Sequence, residues 1–102
     1  MSRTFKIFGK KTCRFCPGAR HKVEYFVQHW NVDVPVIYYD LDAPDGMAEG
    51  AWYDVYETPT VVLEEGETIV KRWVKIPPLY SELFPMFRIP GREANETVPG
   101  PA

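Results

Sequence analysis

The spacing of apolar residues changes twice between Arg3 and Tyr39, and those changes constrain the fold more than any other feature. Arg3 to Phe8 alternates polar and apolar residues, the two-residue period of a strand, and Gly9 stops it. Ala19, Val23, Phe26, Val27 and Trp30 then recur three and four apart. That spacing predicts a helix from about Phe15 to Trp30 with one apolar stripe, and Arg20, Lys22, Glu24 and Gln28 on the other side. Arg20 and Glu24 form an i,i+4 pair, and Pro17 is tolerated where first-turn amides have no intrahelical partner. Val34 to Tyr39 is a nearly continuous apolar run with β-branched and aromatic residues, the pattern of a strand buried on both faces. A strand, a helix and a strand in so short a span make a βαβ unit, with parallel strands and a right-handed crossover.

The second half reads differently. Asp40 to Gly46 is a loop ending in helix-start residues, and Met47, Ala48, Ala51, Trp52, Val55 and Tyr56 follow at helical spacing. Gly50 inside that segment weakens the helix by up to about 1 kcal/mol relative to Ala. Thr60 to Leu63 and Thr68 to Trp73 are strands joined by Glu64-Glu65-Gly66-Glu67, a hairpin with an acidic tip. Pro77-Pro78 opens a last helix carrying Leu79, Leu83 and Phe84, which Pro85 is expected to cut short. The order β-α-β-α-β-β-α predicts an α/β fold, a four-stranded mixed sheet with helices on both faces. Residues 1–87 form one domain, and the Pro- and Gly-rich residues 88–102 read as a flexible tail.

At 102 residues, 45% hydrophobic and 25% charged, the chain has room for one packed domain. The net charge of −2 offers no case for nucleic acid or an anionic membrane as partner. The distribution is uneven: Arg3, Lys6, Lys10, Lys11, Arg14, Arg20 and Lys22 all precede the first acidic residue, Glu24. This run reads either as a chance fluctuation on a solvated surface or as a local positive field around residues 10–20. The N-terminus lacks the apolar segment of a secretion signal, and no stretch approaches the roughly 18–20 apolar residues of a membrane span. A cytoplasmic monomer is expected, with both cysteines reduced at rest.

Those two cysteines, Cys13 and Cys16, fall where the first strand gives way to the first helix. Cys-x-x-Cys at that junction is the sign of a thioredoxin-like redox pair, because two thiols three residues apart can close a small disulfide ring. A helix N-terminus favours a thiolate on the first cysteine, and Lys10, Lys11 and Arg14 act in the same sense. Both effects are expected to bring Cys13 below the ordinary thiol value of about 8.5. Cys13 would attack a substrate disulfide, and Cys16, one turn in and more buried, would resolve the mixed disulfide. The spacing is also that of half a zinc site, but only His21 and His29 remain as strong further ligands, and His29 lies too far along the helix. Both histidines read as surface residues, the Trp and Tyr residues as core, and Phe15 as a candidate for exposure.

Lys10-Lys11-Thr12-Cys13-Arg14-Phe15-Cys16 resembles the active site of glutaredoxins, where a lysine lies three before the nucleophile and an aromatic often precedes the second cysteine. Thr58-Pro59 is similar to that family's cis-proline motif. The resemblance covers about residues 3–84 and implies a thioredoxin fold with Cys13 and Cys16 as catalytic pair. It also implies that Lys10, Arg14, Phe15, Thr58 and Pro59 contact substrate, Thr58 through its backbone. The implied activity is reduction of protein or glutathione mixed disulfides by a glutaredoxin-like thiol–disulfide oxidoreductase. Glutathione would be a possible co-substrate, with no tightly bound cofactor and no metal, and glutathione or a reductase would donate electrons. The sequence departs from the family after the fourth strand, where Val74-Lys75-Ile76-Pro77-Pro78 replaces the usual Gly-Gly and acidic residue. The Trp-Cys-Gly-Pro-Cys of thioredoxins is absent too. The alternative readings are a module binding a metal or iron–sulfur cluster between two chains, and a thioredoxin-like electron donor to one reductase system.

Overall fold

The computed structural model describes residues 2–90. Its elements follow the expected order: β1 (Arg3–Gly9), α1 (Cys16–His29), β2 (Val36–Asp40), α2 (Pro44–Trp52), β3 (Thr60–Glu65), β4 (Thr68–Val74) and α3 (Tyr80–Met86). The strands form one mixed sheet in the order β2-β1-β3-β4. β1 runs parallel to β2, and the β1–β3 and β3–β4 pairs are antiparallel.

The alternation of side chains along β1 and β3 splits the core in two. Phe5 and Ile7 with Val61 and Leu63 face α1 and α3, where they meet Val23, Phe26, Leu83 and Phe84. Phe8 and Val62 face the other way and pack with Tyr53 and Val55, which follow α2. Helices on both faces are therefore built into the two-residue period of the central strands. Lys6 shares the α2 face with Phe8, and Glu49 and Glu64 lie 3.1 and 3.3 Å from its Nζ. It also donates to the Tyr53 hydroxyl at 2.8 Å, and that hydroxyl in turn donates to Glu64. Burial alone would lower the Lys6 pKa; hydrogen bonds to Glu49 and Glu64 outweigh it and raise it.

Several sequence expectations need correction. The apolar run of β2 is not buried on both faces, because the crossover places this strand at the sheet edge. Tyr39 packs beside α2, but Ile37 stays 39% exposed. Helix α2 begins at Pro44, inside the expected loop, and ends at Trp52, so Val55 and Tyr56 lie beyond it. Its buried residues are Gly46 and Gly50, whereas Trp52 and Tyr56, read as core, are exposed, as is Met47. The reason is close packing: a Cβ on Gly46 would overlap the Asp40 carbonyl oxygen. Lys22 is buried rather than solvent-facing, with Nζ 4.7 Å from the centre of the Tyr80 ring, because α3 covers more of α1 than the stripe implies.

Pro85 lies inside α3 instead of ending it, one residue before its last member Met86. Glu82 in that helix accepts from the Leu79 N–H, from Trp73 Nε1 and from Lys71. Burial acts to raise its pKa, but these donors outweigh it and hold the carboxyl below its ordinary value. Of the segment read as a tail, Ile89 packs on the core and its N–H donates to the Phe84 carbonyl at 2.8 Å. Residues 91–102 lie outside the described residues.

Candidate active site

The site grows out of the C-terminal end of β1. After Gly9 the chain turns, the Cys13 N–H donating to the Lys10 carbonyl at 3.1 Å, and Phe15 then caps α1. Cys16 is the first residue of that helix and is buried at 1% exposure; Cys13 stands just outside it, partly accessible. The two sulfurs are joined, with an S–S distance of 2.11 Å and the Cα atoms 5.5 Å apart. The structure thus holds the oxidised form of a pair expected to rest reduced. The first turn of α1 carries no acidic residue, so nothing there opposes the positive end of the helix.

Gly9 is needed where it stands. A Cβ there would fall on the Tyr38 hydroxyl and come within 3.1 Å of Cys16 Cβ. Tyr38 is brought in by the β1–β2 register, which sets it opposite Ile7, and the Arg20 guanidinium lies 4.5 Å from its ring centre. Desolvation, then the nearby Asp40 charge, raises the Tyr38 pKa, so the phenol stays neutral in the physiological range. Tyr38, Arg20, His21 and the Arg20-paired Glu24 join Lys10, Lys11 and Cys13 around a groove of about 430 Å³.

The cis-proline lies at the same end of the sheet. In the β1–β3 register Phe8 pairs with Thr60, so Thr58 and Pro59 run beside the residues leaving β1. The Thr58–Pro59 bond is cis, Pro59 is buried, and its carbonyl accepts from the Lys75 N–H at 2.7 Å. Lys75, in the stretch where the family pattern has glycines, takes a left-handed conformation with φ of 68°. A larger cleft of about 560 Å³ lies at the opposite end of the sheet, lined by Arg3, Trp30, Asp33 and Phe87, and carries no thiol.

No family model matches the sequence, and no curated protein does. Solved structures do. Thioredoxin O2 from Arabidopsis thaliana in its oxidized state gives a TM-score of 0.69 over 85% of this chain and 73% of its own, at 15% identity. A mutant thioredoxin from Halobacterium salinarum gives 0.69 over 85% and 73% at 22% identity. Thioredoxin 1 from Thermosipho africanus gives 0.62 over 83% and 90% at 20% identity. The chain has the thioredoxin fold.

Within this fold the expected site residues divide. Cys13, Cys16 and Lys10 come together at the turn before α1, and Lys10 and Cys13 line one groove. Phe15 is 69% exposed, with the Arg14 guanidinium 5.8 Å from its ring centre. Thr58 and Pro59 share the sheet end with Cys13. Sequence reasoning passed over Gly9, Arg20, Tyr38 and Lys75. Gly9 had a legible signal, a glycine just before a redox pair. Tyr38 had none, since only strand register brings it to the sulfurs. Among the described residues no group of three or more His, Cys, Asp and Glu could hold a metal, and no helix is long and apolar enough to cross a membrane.

Proposed function

We propose that the protein is a thiol–disulfide oxidoreductase that reduces disulfides of other proteins, and glutathione mixed disulfides, by dithiol exchange at Cys13 and Cys16. One observation carries this reading: a partly accessible Cys13 is bonded to a buried Cys16 at the first position of a helix, within a thioredoxin fold.

In the reduced protein, Lys10, Lys11, Arg14 and the acid-free first turn of α1 favour the Cys13 thiolate. The thiolate attacks one sulfur of the substrate disulfide; the other leaves as a thiolate and takes a proton from solvent. Cys16 then loses its proton and attacks Cys13 Sγ, which breaks the mixed disulfide and releases the second substrate thiol. Two electrons and two protons pass to the substrate, and the Cys13–Cys16 disulfide of the structure is the product. The buried place of Cys16 suits this order, since substrate reaches Cys13 first. Thr58, beside the cis bond, offers its backbone to the substrate chain. The cytoplasm, with a reductase or glutathione as electron donor, is the setting that returns the pair to its dithiol form.

The test is substitution at each sulfur. Cys13→Ser is expected to abolish turnover of a disulfide substrate, and Cys16→Ser to accumulate a mixed disulfide visible by mass spectrometry. Full turnover by Cys13→Ser would end the reading. Comparing recycling of the oxidised protein by glutathione and by a thioredoxin reductase identifies the electron donor.

A further inference from the structure

Away from the Cys13–Cys16 turn five basic side chains are matched to carboxylates, while among the described residues Arg72, which donates to the Asp54 carbonyl, and Arg88 make no ion pair. Arg3 lies beside Glu65, Lys6 beside Glu49 and Glu64, Arg20 beside Glu24, Lys71 beside Glu82 and Lys75 beside Glu57. Lys10, Lys11 and Arg14 are not; among the described residues none of the three makes an ion pair. They flank the reacting sulfur, and two of them line the groove that Cys13 opens into. Clustered like charges with no internal partner repel one another, and the fold gains nothing from them. Among the described residues nothing complements them.

A second cleft, of about 280 Å³, meets the first at Lys10, which lines both. Its other walls are largely apolar, with Leu41, Met47, Val55 and Tyr56. Met47 and Tyr56 are 58% and 80% exposed, and Phe15 is 69% exposed in the Cys13–Cys16 turn. A surface that is basic on one side of Lys10 and apolar on the other is wider than a small thiol needs. It fits an extended chain.

We infer that the preferred substrates are polypeptide disulfides whose reacting cysteine is flanked by Asp or Glu, docked through Lys10, Lys11 and Arg14. This rests on the thiol–disulfide reading above and specifies its substrate class. Because the three cations are solvent-accessible, their effect is on encounter: steering of this kind changes association rates by about 10- to 1,000-fold and weakens as salt shortens the range of the field.

The test uses the reduced protein and three short peptides, each with one cysteine carried as a thionitrobenzoate mixed disulfide. The flanking residues are Glu in one, Gln in the second and Lys in the third. The rate of thionitrobenzoate release is read at about 20 mM and about 500 mM NaCl, where the screening length falls several-fold. At low salt the Glu peptide is expected to react at least about 10-fold faster than the Lys peptide, with Gln between, and the ratio to fall below about 2 at high salt. The variant carrying Lys10→Gln, Lys11→Gln and Arg14→Gln is expected to lose the Glu-to-Lys ratio at low salt. Taking the ratio within each protein cancels any change in Cys13 reactivity.

Equal rates for the three peptides with an active wild-type protein would overturn the inference and leave the oxidoreductase reading intact. So would a Glu preference that survives the triple substitution. Oxidised glutathione reacting faster than the Glu peptide, and slowed as much by the triple substitution, would assign the cations to a small thiol and overturn it as well. No release from any peptide, or undiminished release by Cys13→Ser, would overturn the oxidoreductase reading and the inference with it.

Discussion

Lys6 and the Lys10-Lys11 pair lie within a few residues of each other, yet they occupy opposite electrostatic situations. Lys6 projects from β1 under α2, where Glu49, Glu64 and Tyr53 surround its ammonium group. Lys10 and Lys11 stand in the turn beyond Gly9, at the rim of the Cys13 groove, where neither makes an ion pair and the groove's one carboxylate, Glu24, lies beside Arg20. A half-buried charge must be matched within the fold, because removal from water costs more than any exposed pair returns. A rim charge stays hydrated and is free to act on whatever approaches. The difference separates a cation that holds the structure together from cations that serve the site.

Removing Lys6 should have the largest effect on stability. Lys6→Ala leaves Glu49 and Glu64 facing each other and is expected to cost about 2–3 kcal/mol, measured by chemical denaturation. The pH dependence has a definite sign. The folded pKa of Lys6 lies above the ordinary value of 10.5, so its contribution is complete below that value and lost as pH rises through the folded pKa. The gap between wild type and Lys6→Ala should therefore close in alkaline solution and persist at neutral pH. A gap independent of pH would assign the loss to packing alone.

Gly9→Ala comes next, at about 1–3 kcal/mol, since the new methyl meets the Tyr38 hydroxyl and Cys16 Cβ. It should also slow disulfide exchange, because the same contact displaces Cys16. Lys75→Gly is expected to stabilise by about 0.5–1 kcal/mol, as glycine adopts the φ of 68° without the Cβ penalty. The exposed Lys75–Glu57 pair, at 4.0 Å, contributes little against that gain. Smallest of all, Lys10→Gln and Lys11→Gln should leave stability within about 0.5 kcal/mol of wild type. A loss from either as large as that from Lys6→Ala would erase the distinction between structural and site cations.

Legibility from the sequence followed the range of the interactions involved. The α1 stripe was readable because Ala19, Val23 and Phe26 differ from their neighbours by helical spacing alone, and all three are buried. The α2 face was not. Met47, Trp52 and Tyr56 have the apolar character of a core, but the helix presses Gly46 against Asp40 at the end of β2 and Gly50 against Leu41, and turns the large residues outward. Hydropathy cannot show that, because the distance between a helix and a sheet is set by their smallest facing residues.

The sequence by itself determined the element order, the mixed sheet with helices on both faces, and the Cys13–Cys16 pair at a strand-to-helix junction. All of these depend on local periodicity or on residues a few positions apart. Only the tertiary structure decided which charges find partners, which aromatics face solvent, and that Tyr38 and Arg20 wall the groove beside Cys13. Those outcomes depend on strand register and on how α2 and α3 seat against the sheet. Such contacts join residues distant in the chain, and no local pattern records them.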